Sequence, residues 1–328
     1  GAIEALARQP VVIRSPADSR ALTITYGELG LTTNAEEIRQ AIEGLSKGSL
    51  LNRAHRRWFM RNKAFPLVLM LSEERLEKAV NAHWEAQQQA MPTNARRVVD
   101  SHDNIRLEPD VPAYRIDTVE LLSRLDREMH TFLYANLDKK LLDSSKPAEI
   151  ELPLRTLQAE ITLQELQSQR VNRKIYEFST TLLSSSGGRR YNVDSTAKVL
   201  NDTLLAPGEV FDYSKIIEQT RKQFGYRQAP VIYDGRLVPG IGGGICQIST
   251  TLYNAVLRVG LEIVERRNHS LPISYAPLGL DATYSTGYIN FRFRNTLDSY
   301  LLIRSELVGN QVIVKLFGEM DRAVRYTI

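Results

Sequence analysis

The sequence predicts an α+β protein: two tandem small α+β modules, then a β-rich α+β domain with one central helix behind a glycine-rich loop. Three observations carry this. A strand-then-helix pattern recurs through the first half. Near residue 184 the texture changes to shorter elements with more Gly, Pro and Tyr. An apolar stripe of helical period then follows the consecutive glycines Gly242, Gly243 and Gly244. The predicted domains are residues 1–92, 93–172 and 173–328. A chain of 328 residues suits two or three compact units.

The first two modules are read from paired segments. "ALTITYGELGLTTNAEEIRQAI" (21–42) alternates apolar residues, turns, then takes a helical pattern. "IRLEPDVPAYRIDTVELLSRL" (105–125) has the same order. Asn34 and Asp117 are placed to cap the helices that follow. A second pair runs from "FPLVLML" into a helix at Ser72, and from "EIELPLRTL" into a helix at Thr162. Thr162 with Glu165 has capping-box spacing, whereas Arg75 stands at the matching place after Ser72, so that cap is the simpler kind.

"SSSGGRR" (184–190) reads as a flexible or turn-rich linker. A short helix is expected over 193–205, capped by Asp194 or Ser195. Residues 206–214 read as a turn into a strand. "APVIYDGRLVPG" (229–240) reads as a hairpin with Asp234-Gly235 as its turn. Strands are expected at 261–265 and 288–295, and a hairpin over 299–319 through Gly309-Asn310. The helix after the glycines carries Ile248, Leu252, Ala255, Val256 and Val259 on one stripe, and Gly260 suits its C′ position.

Hydrophobic residues make up 43% and charged residues 24%, the balance of a globular protein rather than a disordered one. No stretch approaches the roughly 18 consecutive apolar residues of a spanning helix, and no signal peptide is visible. The chain begins at Gly1 rather than Met, as a trimmed chain would. A net charge of +4 suits an anionic surface, but the basic residues are spread out, which argues against nucleic acid. The densest cluster, "NRAHRRWFMRNK" (52–63), reads as the solvated face of a helix. Neither H-E-x-x-H nor a close pair of His or Cys occurs, so no metal or other cofactor is expected.

Cys246 is the single cysteine, so no intramolecular disulfide is possible. It lies at or just before a helix N-terminus, where unpaired N–H groups and the helix dipole favour a thiolate. Glycines let backbone N–H groups aim at a developing oxyanion. Phosphate-binding patterns fit less well. The P-loop needs Lys-Ser or Lys-Thr where Ile245-Cys246 stands, and the dinucleotide fingerprint would need glycine at Ile245. A buried cysteine at a packed loop–helix junction is the competing reading.

A nucleophilic cysteine needs a base and an orienting group. His55 and His83 lie in N-terminal helical patterns, His102 in a polar loop, and His130 after an amphipathic helix. His269, in "RRNHSLP", is the histidine in the same third of the chain as Cys246. Asp281, in "GLDATYS", is the natural third member, although Asp is also common in turns. Ser249, Thr250 and Thr251 fit helix surface or caps rather than nucleophiles.

The segments "YNVDSTAKVLNDTLLAPGEVFDYS", "GYRQAPVIYDGRLVPGIGGGICQISTTLYNAVLRVGLEIVERRNHSLPISY" and "GLDATYSTGYINFRFRN" closely resemble the VanW domain. The resemblance covers about residues 175–318, with no departure at Cys246, His269 or Asp281. Tyr226, Gln247, Ser249 and Ser270, polar positions within these segments, join Gly242, Gly243 and Gly244 as candidate oxyanion or substrate-binding residues. The N-terminal modules look like the peptidoglycan-binding repeats that often precede such domains, a looser match.

The resemblance implies a Gram-positive cell-wall protein outside the cytoplasmic membrane, anchored by an N-terminal segment absent from this chain. It implies peptidoglycan as partner, with tetrapeptide stems as donor and acceptor. It also implies a cysteine L,D-transpeptidase making 3–3 cross-links through a thioester. An L,D-carboxypeptidase or endopeptidase is a near variant. The alternative class is a non-catalytic wall-binding or glycopeptide-resistance accessory protein in which Cys246 is inert.

Overall fold

The computed structural model describes residues 2–137, 147–182, 186–233 and 236–321. The chain opens with α1 (Ala2–Arg8), β1 (Pro10–Arg14), β2 (Ala21–Thr25), β3 (Thr32–Thr33), α2 (Ala35–Gly44) and α3 (Leu50–Met60). Next come β4 (Leu69–Met70), α4 (Glu73–His83), α5 (Glu85–Gln88), β5 (Arg96–Val99), β6 (Ile105–Glu108) and β7 (Ala113–Ile116). They are followed by α6 (Thr118–Leu137), β8 (Ala148–Glu151), β9 (Leu154–Leu157), α7 (Leu163–Ser168) and β10 (Arg173–Thr181). The last part holds α8 (Gly187–Leu200), β11 (Thr203–Leu205), β12 (Val210–Asp212), α9 (Tyr213–Gln223), β13 (Gln228–Tyr233) and β14 (Arg236–Ile241). It closes with α10 (Ile245–Val259), β15 (Glu262–Glu265), β16 (Arg292–Arg294), β17 (Leu301–Val308) and β18 (Gln311–Gly318). The class is α+β, as the sequence predicts.

Two compact units form where three domains are expected: Gly1–Thr93 with Val111–Ala159, and Asn94–Asp110 with Glu160–Ile328. In the first unit, β1 pairs antiparallel with β2 and parallel with β8. Leu76 and Val80 of α4 bury in the same core as Leu121, Leu125 and Met129 of α6. Helices α4 and α6, one from each expected module, therefore share one apolar interior.

The predicted caps mostly hold. Ser72 accepts from the Arg75 N–H, Asp117 from the Glu120 N–H, and Thr162 from the Glu165 N–H. Asn34 does not cap α2. Its Oδ1 accepts from the Val68 N–H at 2.8 Å and its Nδ2 donates to the Pro66 carbonyl, tying down the approach to β4. The basic helix α3 has no buried residue, as a solvated helix should. His130 lies within α6 rather than after it.

The second unit is built on the antiparallel sheet β10-β18-β17-β11. Its predicted β17–β18 hairpin turns at Gly309, where φ is 57°. The β5–β6 hairpin belongs here, because Asp103 binds Lys174 and Lys315. The β13–β14 hairpin also forms, with Tyr233 opposite Arg236; Asp234-Gly235 lies outside the described residues.

Helix α10 is central, but it is not a one-faced helix. Its residues from Gln247 to Val256 are all buried. The expected stripe joins the core with Val193, Ile303 and Val314, each such side chain contributing roughly 1.5–3 kcal/mol. The polar side is satisfied internally. Asn254 Nδ2 donates to the carbonyls of Thr250 and Leu280, and Thr251 donates to that of Gln247. Ser249, Thr250 and Thr251 are thus interior groups, not helix surface. Gly260 ends the helix in the left-handed region, φ 78°, as expected.

Two local expectations fail here. The "SSSGGRR" segment is not a linker over its described part: α8 starts at Gly187, capped by the Ser186 hydroxyl, and ends at Leu200. Gly188 is there for contact, since a Cβ would lie 2.2 Å from the Gln228 carbonyl oxygen. Helix α9 has no counterpart in the sequence reading, although Asp212 caps it and Ile216, Ile217 and Thr220 face inward. Its short polar pattern was masked by the strand signal before it.

Candidate functional site

The loop 242–244 needs three glycines for two reasons. Gly242 and Gly244 have φ of 87° and 109°, a region that side chains other than glycine rarely adopt. Gly243 has no room: a Cβ would lie 2.4 Å from the Pro230 carbonyl oxygen. The loop is thus pressed onto its own hairpin. Buried Asn192 of α8 fastens it, donating to the carbonyls of Gly243 at 3.0 Å and Arg227 at 2.9 Å, and accepting from the Arg227 N–H at 2.8 Å. Tyr213 adds a hydrogen bond to the Ile245 carbonyl at 2.8 Å. Among the described residues, the N–H groups of Gly243 and Gly244 have no protein acceptor.

Cys246 lies in the first turn of α10. Its Sγ accepts from the Tyr284 N–H at 3.4 Å and donates to the Tyr284 carbonyl at 3.5 Å. These are the sulfur's hydrogen-bond partners among the described residues. Burial pushes the thiol up from its ordinary value, against the opposing pull of the Tyr284 N–H and the Arg189 charge; Asp281 adds to the rise. That direction is opposite to the depression expected at a helix N-terminus. Loss of hydration penalises the thiolate more than the Tyr284 N–H and the Arg189 charge favour it.

His269 and Asp281 come together. Nδ1 of His269 lies 2.6 Å from Oδ2 of Asp281, and the His269 N–H donates to the same oxygen at 2.6 Å. Both side chains are nearly withdrawn from solvent, 6% and 8% exposed. Arg266 balances the carboxylate, with Nη2 3.3 Å from Oδ1 and Nε donating to the Asp281 carbonyl. A carboxylate at Nδ1 makes that nitrogen the protonated one in the neutral ring, leaving Nε2 as the acceptor.

One short segment connects the two halves of the site. Asp281 holds His269, and Tyr284 holds the Cys246 sulfur. Between them, the Ala282 carbonyl accepts from Ser249 at 2.7 Å and the Ala282 N–H donates to Thr250 at 3.0 Å. The first turns of α10 thus grip the strip 281–284 directly.

The remaining candidates divide. Gln247 is buried; Nε2 donates to Thr180 and the Thr181 carbonyl, and Oε1 accepts from Arg189 at 2.9 Å. Ser249 also spends its hydroxyl inside the protein. Both support the site's walls. Tyr226 packs beside Gly242 with its hydroxyl 3.3 Å from that of Thr196. Ser270 is exposed.

The sequence reading missed Arg189, Asn192, Tyr213, Arg266 and Tyr284. Arg189 lies over the Tyr275 ring at 5.9 Å and is the cation acting on the thiol. Its place in an apparent linker hid it. Tyr284 acts through its backbone, which no side-chain pattern reports. Among the described residues, no group of three or more His, Cys, Asp or Glu is placed to hold a metal ion.

The family model for VanW-like proteins matches residues 188–317, a span containing all of these groups except Ser186 and the Thr180–Thr181 strand end. Residues 188–317 are thus similar to the VanW-like family. An uncharacterised protein of Bacillus subtilis, YoaR, is 36% identical over 172 residues, covering 52% of this chain and 56% of its own. The vancomycin B-type resistance protein VanW of Enterococcus faecalis is 31% identical over 143 residues, covering 42% of this chain and 52% of its own. The chain therefore spans about half the length of the curated relatives it matches. No solved structure matches significantly.

Proposed function

We propose that the VanW domain of this chain is a cysteine acyltransferase of the cell wall, an L,D-transpeptidase acting on peptidoglycan stems. The observation that carries this reading is the buried His269–Asp281 pair, linked through residues 281–284 to the Cys246 thiol. The enterococcal relative, a vancomycin resistance protein, supports a cell-wall setting.

The raised thiol pKa shapes the mechanism. Cys246 starts protonated, so His269 works as a general base rather than as half of a standing ion pair. The thiol turns from the Tyr284 carbonyl and gives its proton to Nε2 as sulfur attacks the carbonyl of the third stem residue. The amides of Gly243 and Gly244 receive the oxyanion. Collapse breaks the bond to D-Ala, whose amine leaves with the proton from Nε2, and a thioester remains. The side-chain amine of an acceptor stem then attacks, Nε2 takes its proton, and that proton returns to sulfur as the thioester breaks. Asp281 keeps the ring oriented and stabilises its charged form. Water in place of the amine gives the carboxypeptidase or endopeptidase outcome.

A second reading is an accessory wall protein with a structural thiol. The saturation of Sγ by Tyr284 favours it. Under both readings, the first unit is proposed to hold polymer and do no chemistry.

Incubation with purified tetrapeptide-stem muropeptides separates the two. Mass spectrometry should find released D-Ala, a thioester on Cys246 and cross-linked dimers. If neither acyl-enzyme nor D-Ala forms, the accessory reading replaces the enzyme. Hydrolysed monomers with D-Ala release would keep the nucleophile and change the acceptor.

A further inference from the structure

From Gly44 to Ser72 the chain carries six cations, Lys47, Arg53, Arg56, Arg57, Arg61 and Lys63, and no carboxylate. Helix α3 lies in this stretch and buries none of its residues. Leu50, Leu51 and Trp58 are 78%, 83% and 73% exposed. Leu51, Ala54 and Trp58 follow i, i+3, i+7, with Leu50 beside them, so they share one face. Arg53, Arg57 and Arg61 follow i, i+4, i+8 and form the next row round the helix. Among the described residues, none of the α3 arginines has a carboxylate partner, whereas Lys47 and Arg39 nearby do.

We propose that α3 docks the first unit on an anionic lipid bilayer, with Leu50, Leu51 and Trp58 entering the headgroup–acyl boundary and the arginine row meeting lipid phosphates. The physical grounds are specific. An aromatic and two leucines left in water beside a basic row without carboxylate partners, its Arg61 lying over the Trp58 ring, combine the two signals that surface-bound helices need: apolar area and charge. A soluble polyanion would use the arginines but gain nothing from the exposed Leu51 and Trp58. A second copy of the chain would bring like-charged rows together. Arginine stems can lie along the apolar face while their heads stay at the phosphates.

The two tryptophans make the test direct, because Trp58 is exposed and Trp84 is buried. The full chain is mixed with vesicles of equal parts phosphatidylglycerol and phosphatidylcholine, and with phosphatidylcholine alone. Binding to the anionic vesicles only, with a blue shift quenched by brominated lipid, is expected. Trp58→Phe should bind as well but lose the lipid-dependent shift. Arg57→Glu with Arg61→Glu, and separately Leu51→Ser with Trp58→Ser, should each weaken binding at least about tenfold with an unchanged melting curve. No vesicle binding, or equal binding by the variants, overturns the proposal. Retention on a soluble polyanion without vesicle binding overturns it in favour of a polymer ligand.

Discussion

Asp281 accepts two hydrogen bonds from His269, one from the backbone N–H and one from Nδ1, each at 2.6 Å on the same oxygen. The ring is thereby fixed in place and in tautomer by a single carboxylate. Asp281→Asn should lower D-Ala release roughly a hundredfold, since an amide can present a donor to Nδ1 and turn the ring. His269→Ala should lower it further. Equal turnover in Asp281→Asn and the parent protein would remove the proposed orienting role.

The thiol gives a pH prediction with a definite sign. Burial raises the Cys246 pKa, so alkylation should show a midpoint above that of a free thiol, about 8.5. Arg189→Gln removes a cation that favours the thiolate and should move the midpoint higher still. The same shift links to stability. The folded thiol holds its proton where the unfolded one has lost it, so this stabilisation is present below the unfolded pKa and is lost as pH rises through the folded one. A midpoint below the free value would reverse both statements.

Cys246→Ala should leave the fold intact and abolish thioester formation. The substitution removes two weak sulfur hydrogen bonds, and the packing of α10 rests on residues further along the helix. Intact-mass measurement after muropeptide incubation reads the adduct, and circular dichroism reads the fold.

Gly243→Ala should destabilise the second unit by at least about 2 kcal/mol, because the new Cβ meets backbone rather than a movable side chain. Gly187→Ala is the internal control: nothing lies within 4 Å, and its melting temperature should hold. A matched pair of thermal melts decides it.

Asn192→Ala strips hydrogen bonds from Gly243 and Arg227 in a buried place. A cost of about 1–3 kcal/mol is expected. Loosening the loop should also slow acyl transfer by about tenfold or more, since the reacting groups lose their alignment. Lost stability with full activity would show that the loop's position is held elsewhere.

Much was legible where the signal is local. Ser72, Asp117 and Thr162 act as caps because a helix start is a contact between residues three apart. Gly260 and Gly309 turn as read because positive φ is written in a single residue. The Cys246, His269 and Asp281 trio was selected from residue type, turn chemistry and family likeness, and the fold brings His269 onto Asp281.

The rest was invisible for one physical reason: it depends on what a residue meets across the chain. Asn34 has a cap's sequence position, but the Val68 N–H competes for its oxygen. Gly187-Gly188 looks like a linker until the Gln228 carbonyl occupies the space a side chain would need. The sequence by itself determined the α+β class and the glycine turn, both set by local sterics and periodicity, and named the candidate groups by residue type and family likeness. Only the tertiary structure decided that α4 and α6 share one core, that residues 247–256 of α10 are all buried, and that burial pushes the Cys246 thiol up. Burial and desolvation are sums over distant neighbours, and no local pattern contains them.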